Sequence, residues 1–431
     1  MRTITGFEKA REVLSRRVSA GAETGEHEQT VRRIIADVRS RGDAALIDYT
    51  AKFDGVKLSA LEVDRAQVDA ALRHVDAALV SALEMAARRI RAFHAEQKKL
   101  LFQERTGAHL GWLVRPLRRV GVHTPGFQAP LPSSLLMTAI PARVAGVPEV
   151  ILVTPPQRNG NVSPVMLAAA AIAGVDRIFS VGGAQAVAAL AYGTGSVPAV
   201  DKVCGPGNIY VTLAKKLLYG TVGIDGLYGP SEVIIIADES ANPGYLAADL
   251  LAQAEHGSLA AAILITPSLE LAARVQNEIN RQLATISRKE VAAGSLEGQG
   301  FLVIVKSVDE AIALANLYAP EHLCLVIKNA ADCIGKIENA GCLFIGEHSI
   351  EALVDYAAGP SHVLPTGGTA RFGSPLNVTD FMKIISLVDL DRRDVRRLAP
   401  SVSVIARAEG LDAHARAVER RLENHSREAI E

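Results

Sequence analysis

Residues 149–183, "EVILVTPPQRNGNVSPVMLAAAAIAGVDRIFSVGG", decide the fold class. "EVILVTPP" is a short apolar, β-branched run and reads as a strand, "SPVMLAAAAIAG" reads as a helix, and "DRIFSVGG" reads as a second strand. Both strands are apolar throughout, without the alternation of a strand that has one wet face. With a helix between them, they indicate a parallel sheet covered on both sides.

The pattern extends in both directions. "AQAVAALAYGTG" reads as a helix, "DKVCGPGN" as a short strand and loop, and "IYVTLAKKLLYG" as a helix. It stops at "GPSE" and restarts with "VIIIADES", a helix over 243–256, "AAILITPS", a helix over 268–285 and "GFLVIVKS". A helix over 308–318, "LCLVIKN", a helix over 330–338 and "CLFIG" complete it. Two α/β units in tandem are therefore expected, and the echo between "VILVTPP" and "AILITPS" hints at duplication. The first hundred residues read as helices with charged faces, and the chain turns helical again after residue 375.

Composition narrows the function classes. The 431 residues are 49% apolar and 22% charged, ordinary for a globular protein and long enough for more than one core. A net charge of −1 gives no electrostatic case for nucleic acid or an anionic membrane. No apolar run reaches the length of a membrane span, and the charged start "MRTITGFEKAREVLSRR" has no signal-peptide core. Cys204, Cys324, Cys333 and Cys342 lack CxxC pairing, which fits reduced thiols in a cytoplasmic protein.

Glycine-rich turns "VGGAQ", "CGPGN" and "YGPSE" flank strands, where open α/β sheets bind ligands at carboxyl ends. None matches GxGxxG, so they read as structural turns or as a phosphate- or cofactor-binding rim. Four polar groupings stand out. In "ADLLAQAEHGSLA", Gln253 and His256 are three apart and share a helix side, as metal ligands or as solvated residues. "YAPEHLCLV" places Glu321 and His322 at a strand entrance, as proton acceptors or a charged turn. "DYAAGPSHVLPTGG" carries Asp355 and His362 in a long loop. "AEGLDAHARAV" carries Glu409 and His414 near the last helix.

These motifs, with "RGDAALIDYTAKFDG", "VGGAQAVAALAYGT", "GPGNIYV" and "GPSEV", occur in an order that resembles the histidinol dehydrogenase family across nearly the whole chain. The resemblance implies zinc held by Gln253, His256, Asp355 and His414. It implies oxidation of L-histidinol to L-histidine through the aldehyde, with two hydride transfers to two NAD. Glu321 and His322 would be catalytic. Substrate contacts would come from Ser231, Gln253, His256, His322, Asp355, His362, Glu409 and His414, and cofactor contacts from His123, Gln185 and Asn208. It further implies a homodimer whose partner supplies Glu409 and His414, and two incomplete Rossmann-like domains. The expected divisions are a helical segment at 1–24, a first α/β domain of 25–117 with 233–374, a second of 118–232, and a helical tail at 375–431.

The chain departs from the family pattern at "HTPGF", where His123 stands for a tyrosine and Phe127 for a glycine. Val354 stands where glycine commonly precedes the metal-binding aspartate, a change expected to shift the loop. Ser361 stands where asparagine precedes His362. Rival readings are a related zinc and NAD enzyme acting on another small alcohol, a zinc hydrolase turning over without NAD, and a non-catalytic scaffold.

Overall fold

The computed structural model describes residues 1–15, 25–107, 109–126 and 130–423. Its strands, in chain order, are β1 (Arg2–Thr5), β2 (Leu110–Pro116), β3 (Arg119–His123), β4 (Glu149–Thr154), β5 (Arg177–Ser180), β6 (Lys202–Cys204), β7 (Gly223–Ile224), β8 (Glu232–Ala237), β9 (Ala261–Thr266), β10 (Gly300–Ile304), β11 (His322–Val326), β12 (Cys342–Ile345) and β13 (Met382–Val388). Residues 1–98 with 116–381 form one compact unit, and residues 99–115 with 382–431 form another.

The first unit holds two sheets. One has the order β5-β4-β3-β6-β7 and the other β1-β10-β9-β8-β11-β12. All neighbours in both pair in parallel. This is the expected α/β class with two tandem parallel sheets. The six-stranded sheet shows why its strands are apolar throughout. Val233, Ile235 and Leu264 face a core shared with helices Pro243–Ala254 and Leu269–Leu283, while Ile234, Ile236, Leu323 and Leu325 face a second core on the opposite side. Successive side chains point to opposite faces, so burial on both demands an unbroken apolar run.

Several elements fall outside the sequence reading. Arg2–Thr5, placed in a helical segment, adds an edge strand beside β10, with helix Phe7–Leu14 following. Met382–Val388 pairs with β2 within a tail read as helical, and helices Arg392–Ala408 and Asp412–Glu423 follow it. The sequence reading groups residues 25–117 with 233–374. Val31, Ile34, Val38, Ala45, Leu46 and Leu61 instead share a core with Phe179 of the five-stranded sheet and with Val187 and Val211 of helices Gly183–Tyr192 and Ile209–Leu218. Their spacing makes an apolar helix stripe that fits either sheet, and sequence alone does not choose between them.

No helix among the described residues is long and apolar enough to cross a membrane. All four cysteines are free.

Candidate active site

Helix Pro243–Ala254 runs back across its sheet and ends near the amino edge of the strands. The helix stops at Ala254 rather than at 256, but Glu255 keeps a right-handed helical backbone and the His256 amide still reaches the Gln253 carbonyl at 3.3 Å. Gln253 is fully buried, and neither atom of its amide has a hydrogen-bond partner. An unsatisfied buried amide costs about 1–3 kcal/mol, so its place here is an argument for a ligand.

His322 opens β11, directly opposite Val233 on one side and Cys342 on the other. Glu321 precedes it, pinned because the Gly341 and Cys342 amides donate to the carbonyls of Pro320 and Glu321. Ahead of this pair, Ala319 has φ 53°, the single non-glycine positive φ among the described residues. That left-handed turn ends helix Val308–Tyr318 and swings Pro320 toward the sheet edge. Glu321 Oε2 accepts from the Ser231 hydroxyl at 2.6 Å and from the Glu232 amide at 3.0 Å.

The cluster lies at the amino edge of the six-stranded sheet. The rule for open α/β sheets favoured carboxyl ends. The difference follows from chain order: these motifs precede β8 and β11 or follow a returning helix. The carboxyl edge of the five-stranded sheet carries His123, Gln185 and Asn208, the cofactor-side candidates. His123 is the last residue of β3, while Gln185 and Asn208 lie at the starts of helices Gly183–Tyr192 and Ile209–Leu218. Asn208 Oδ1 caps the second helix by accepting from the Tyr210 and Val211 amides. Phe127 lies outside the described residues.

One regularity runs through the histidines. The Nδ1 atoms of His256, His322, His362 and His123 lie 3.0, 3.3, 2.8 and 2.9 Å from the carbonyl oxygens of Ala252, Glu232, Asp355 and Pro206. A carbonyl only accepts, so each Nδ1 carries the proton and each Nε2 presents a lone pair. His362 Nε2 takes the Ser134 hydroxyl at 3.1 Å, whereas His322 and His123 Nε2 are buried without a partner. Backbone-fixed imidazoles of this tautomer suit metal ligation and proton acceptance.

Ligand-capable atoms of His256, Asp355 and Glu351 lie within 4.8 Å of one another. Sequence reading missed Glu351, although its place four residues before Asp355 puts both on one helix side. Val354, between them, belongs to helix Glu351–Tyr356, so the substitution for glycine brings no positive φ and no strain there. Ser361 donates to the Met137 carbonyl at 3.1 Å and accepts from the Val363 amide at 3.2 Å, holding the loop against helix Pro132–Ala145.

Burial drives the electrostatics. It pushes Glu321 up to about 8, with the Ser231 and Glu232 hydrogen bonds pulling the other way. Burial raises Asp355, against the pull of His362 and His256, and raises Glu351 well above the usual carboxylate range. It lowers His322 to about 3, helped by His256, and lowers His362. Carboxylates pushed up and imidazoles pushed down describe a pocket that favours neutral forms until a cation enters.

Glu409 and His414 belong to the second unit, where both are exposed: Glu409 caps helix Arg392–Ala408, and His414 lies in helix Asp412–Glu423.

The geometry thus defines an α/β protein with an imidazole–carboxylate site, buried at Glu321, His322 and Glu351 and open at His256, at the amino edge of the six-stranded sheet, and glycine-flanked helix N-termini at the carboxyl edge of the five-stranded one. Residues 18–422 match the family model for histidinol dehydrogenase. The chain is 51% identical to histidinol dehydrogenase of Dehalococcoides mccartyi (strain CBDB1), across 98% of this chain and all of that one. It is 52% identical to the Deinococcus radiodurans histidinol dehydrogenase, across 95% and 94% of the two chains. The crystal structure of histidinol dehydrogenase from Elizabethkingia anophelis superposes with a TM-score of 0.92 at 36% identity, covering 99% of both chains. The chain belongs to the histidinol dehydrogenase family, a family of oxidoreductases.

Proposed function

We propose that the protein oxidises L-histidinol to L-histidine through L-histidinal, reducing two NAD, as the last steps of histidine biosynthesis. Family membership supports the reaction, and the observation that carries the site assignment is the fully buried, unpartnered Gln253 amide, three residues before His256, whose ligand atom lies within 4.8 Å of one on Asp355. The donor set fits zinc, since these are neutral nitrogen and oxygen donors plus a carboxylate. Gln253, His256 and Asp355 would hold it, with His414 as the fourth ligand. In this reading the protein is a homodimer in which the partner chain supplies Glu409 and His414. When bound, zinc would orient the substrate and supply positive charge.

The remaining chemistry belongs to the side chains. His322 presents Nε2 as a neutral base, because the Glu232 carbonyl fixes the proton on Nδ1. It accepts the alcohol proton as hydride leaves the carbinol carbon for NAD, giving the aldehyde. Water then adds to the aldehyde. Glu321, oriented by Ser231 and the Glu232 amide, takes the proton of that water in its carboxylate form, which the positive charge of a bound cation would favour. His322, having passed its first proton to solvent, then accepts the proton of the resulting hydrate as the second hydride leaves for the second NAD, giving the carboxylate. Ser231, His362 and Glu409 would contact substrate, with Ser134 holding His362 Nε2.

NAD would lie against the carboxyl edge of the five-stranded sheet. Gly205, at φ 107°, leaves room that a Cβ would fill by colliding with the His123 carbonyl. The helix N-termini at Gln185 and Asn208 favour a pyrophosphate. The test is NADH formed per L-histidinol consumed, with and without a chelator. Two NADH per substrate, abolished by chelation and restored by zinc, is expected. One NADH would stop the chemistry at the aldehyde, and none would refute the substrate assignment.

A further inference from the structure

Glu351 is the carboxylate that neither the sequence motifs nor the proposed reaction uses. It is 5% exposed, in the short helix Glu351–Tyr356. Its Oε2 is buried with no hydrogen-bond partner, and its Oε1 lies 3.6 Å from His322 Nδ1. No other ion pair involving Glu351 occurs among the described residues. The His322 proton that faces it already points to the Glu232 carbonyl, and burial keeps that imidazole neutral. The charged groups around Glu351 that act on it are all carboxyls: Asp355, Glu321 and Asp249.

A buried carboxylate among three others is strongly unfavourable unless a cation or hydrogen-bond donors compensate it. The described residues supply neither, but a ligand atom of Glu351 lies within 4.8 Å of ligand atoms of His256 and Asp355. The Gln253 amide, one helical turn before His256, is a second, independent buried group left without a partner. The charge count points the same way. Two neutral histidines, a neutral glutamine and one aspartate would leave a divalent cation with a net charge of about +1 in a low-dielectric pocket. One further carboxylate brings the site to neutrality.

We infer that Glu351 is a further residue of the cation site, whose negative charge completes the balance around the divalent ion and so sets how tightly it is held. This rests on the zinc reading above. It also gives Glu351 a role distinct from orienting His322, since its acceptor lies beyond hydrogen-bond distance from that ring.

The test measures zinc affinity of the full-length protein by competition with a chromophoric chelator at fixed pH. The wild type, Glu351→Gln and Asp249→Asn are compared, with folding checked by circular dichroism. Glu351→Gln keeps the shape and removes the charge, and the expected loss of zinc affinity is about ten- to a hundredfold. Asp249→Asn removes a neighbouring half-buried carboxyl one helical turn before Gln253, and should stay within about twofold of wild type. If Glu351→Gln does not fold, Glu351→Asp takes its place. It retains the charge and should stay within about fivefold. Unchanged affinity in Glu351→Gln would overturn the inference, because the group would then be a protonated filler. Equal losses in Glu351→Gln and Asp249→Asn would overturn it too, since any nearby charge would serve. Failure of the wild type to bind zinc at all would instead refute the zinc reading, which separates the two.

Discussion

Two buried polar clusters in the first unit look alike in composition and differ in bookkeeping. Beyond the carboxyl edge of the five-stranded sheet, the Lys215 ammonium pairs with Asp225, donates to the Gly205 carbonyl at 3.2 Å and sits 4.7 Å over the Tyr228 ring. Asp225 in turn accepts from the Gly205 amide at 2.6 Å. The Gly205 peptide, in the loop leading to Asn208, is thus gripped from both ends by one internal ion pair. At the amino edge of the six-stranded sheet, Gln253, Glu351 and His322 are equally buried, yet each keeps an atom without a partner. Closed networks shape a loop, and open ones await something from outside. Composition alone would have ranked the two clusters together, whereas the unpartnered atoms separate them.

The comparison can be broken in several ways. The largest effect belongs to the open cluster. His322→Asn should cut turnover by roughly a hundred- to ten-thousandfold while zinc content and thermal stability stay at wild-type levels. Parallel loss of zinc and activity would make His322 a ligand rather than a base. In the closed cluster, Lys215→Met strands Asp225 in the interior and should cost roughly 3–5 kcal/mol in denaturant unfolding. A loss below about 1 kcal/mol would mean that the pair does not hold the Gly205 loop.

A smaller effect with the opposite sign is expected at Gln253. Gln253→Leu should raise the stability of zinc-free protein by about 1–3 kcal/mol, while abolishing zinc binding. Destabilisation of the zinc-free form would show that the amide has a partner in the fold and is not reserved for a ligand.

The weakest handle is pH. Burial holds the Glu321 pKa at about 8 in the folded chain, above its unfolded value of about 4.3. The stability this provides is complete below about pH 4.3 and is lost as pH rises through about 8. Chelator-treated protein should therefore melt at a lower temperature at pH 9 than at pH 6, with the difference reduced in Glu321→Gln. A difference of equal size in the variant would assign it to other groups.

Much of this was legible in sequence for a physical reason. Strands buried on both faces must be continuously apolar, so "VIIIA" and "AAILIT" announced the parallel sheets without ambiguity. The polar motifs were legible only through their order along the chain, which resembles the family's, since Gln253 and His256 taken alone fit a solvated helix end equally well. What stayed hidden depended on long-range pairing. Arg2–Thr5 is a strand only because β10 offers it an edge, and Met382–Val388 only because β2 does. Helices 25–53 carry stripes that fit either sheet, so their choice of the five-stranded one could not be read. Glu351 resembles an ordinary helix-start glutamate until folding buries it, and the amino-edge location emerges only once helix Pro243–Ala254 is seen to return.

Anomalous diffraction at the zinc absorption edge, from crystals grown with zinc, addresses the central claim most directly. The open cluster predicts a peak beside Gln253, His256 and Asp355. The described residues contain one other group with ligand atoms within 4.8 Å, His109 with Asp391 and Asp394. Its members already satisfy each other, since His109 pairs with Asp394 and the Asp391 carboxylate caps its own helix. A peak there alone, or no peak at either place, would contradict the claim that the unpartnered Gln253 and Glu351 side chains mark a cation site.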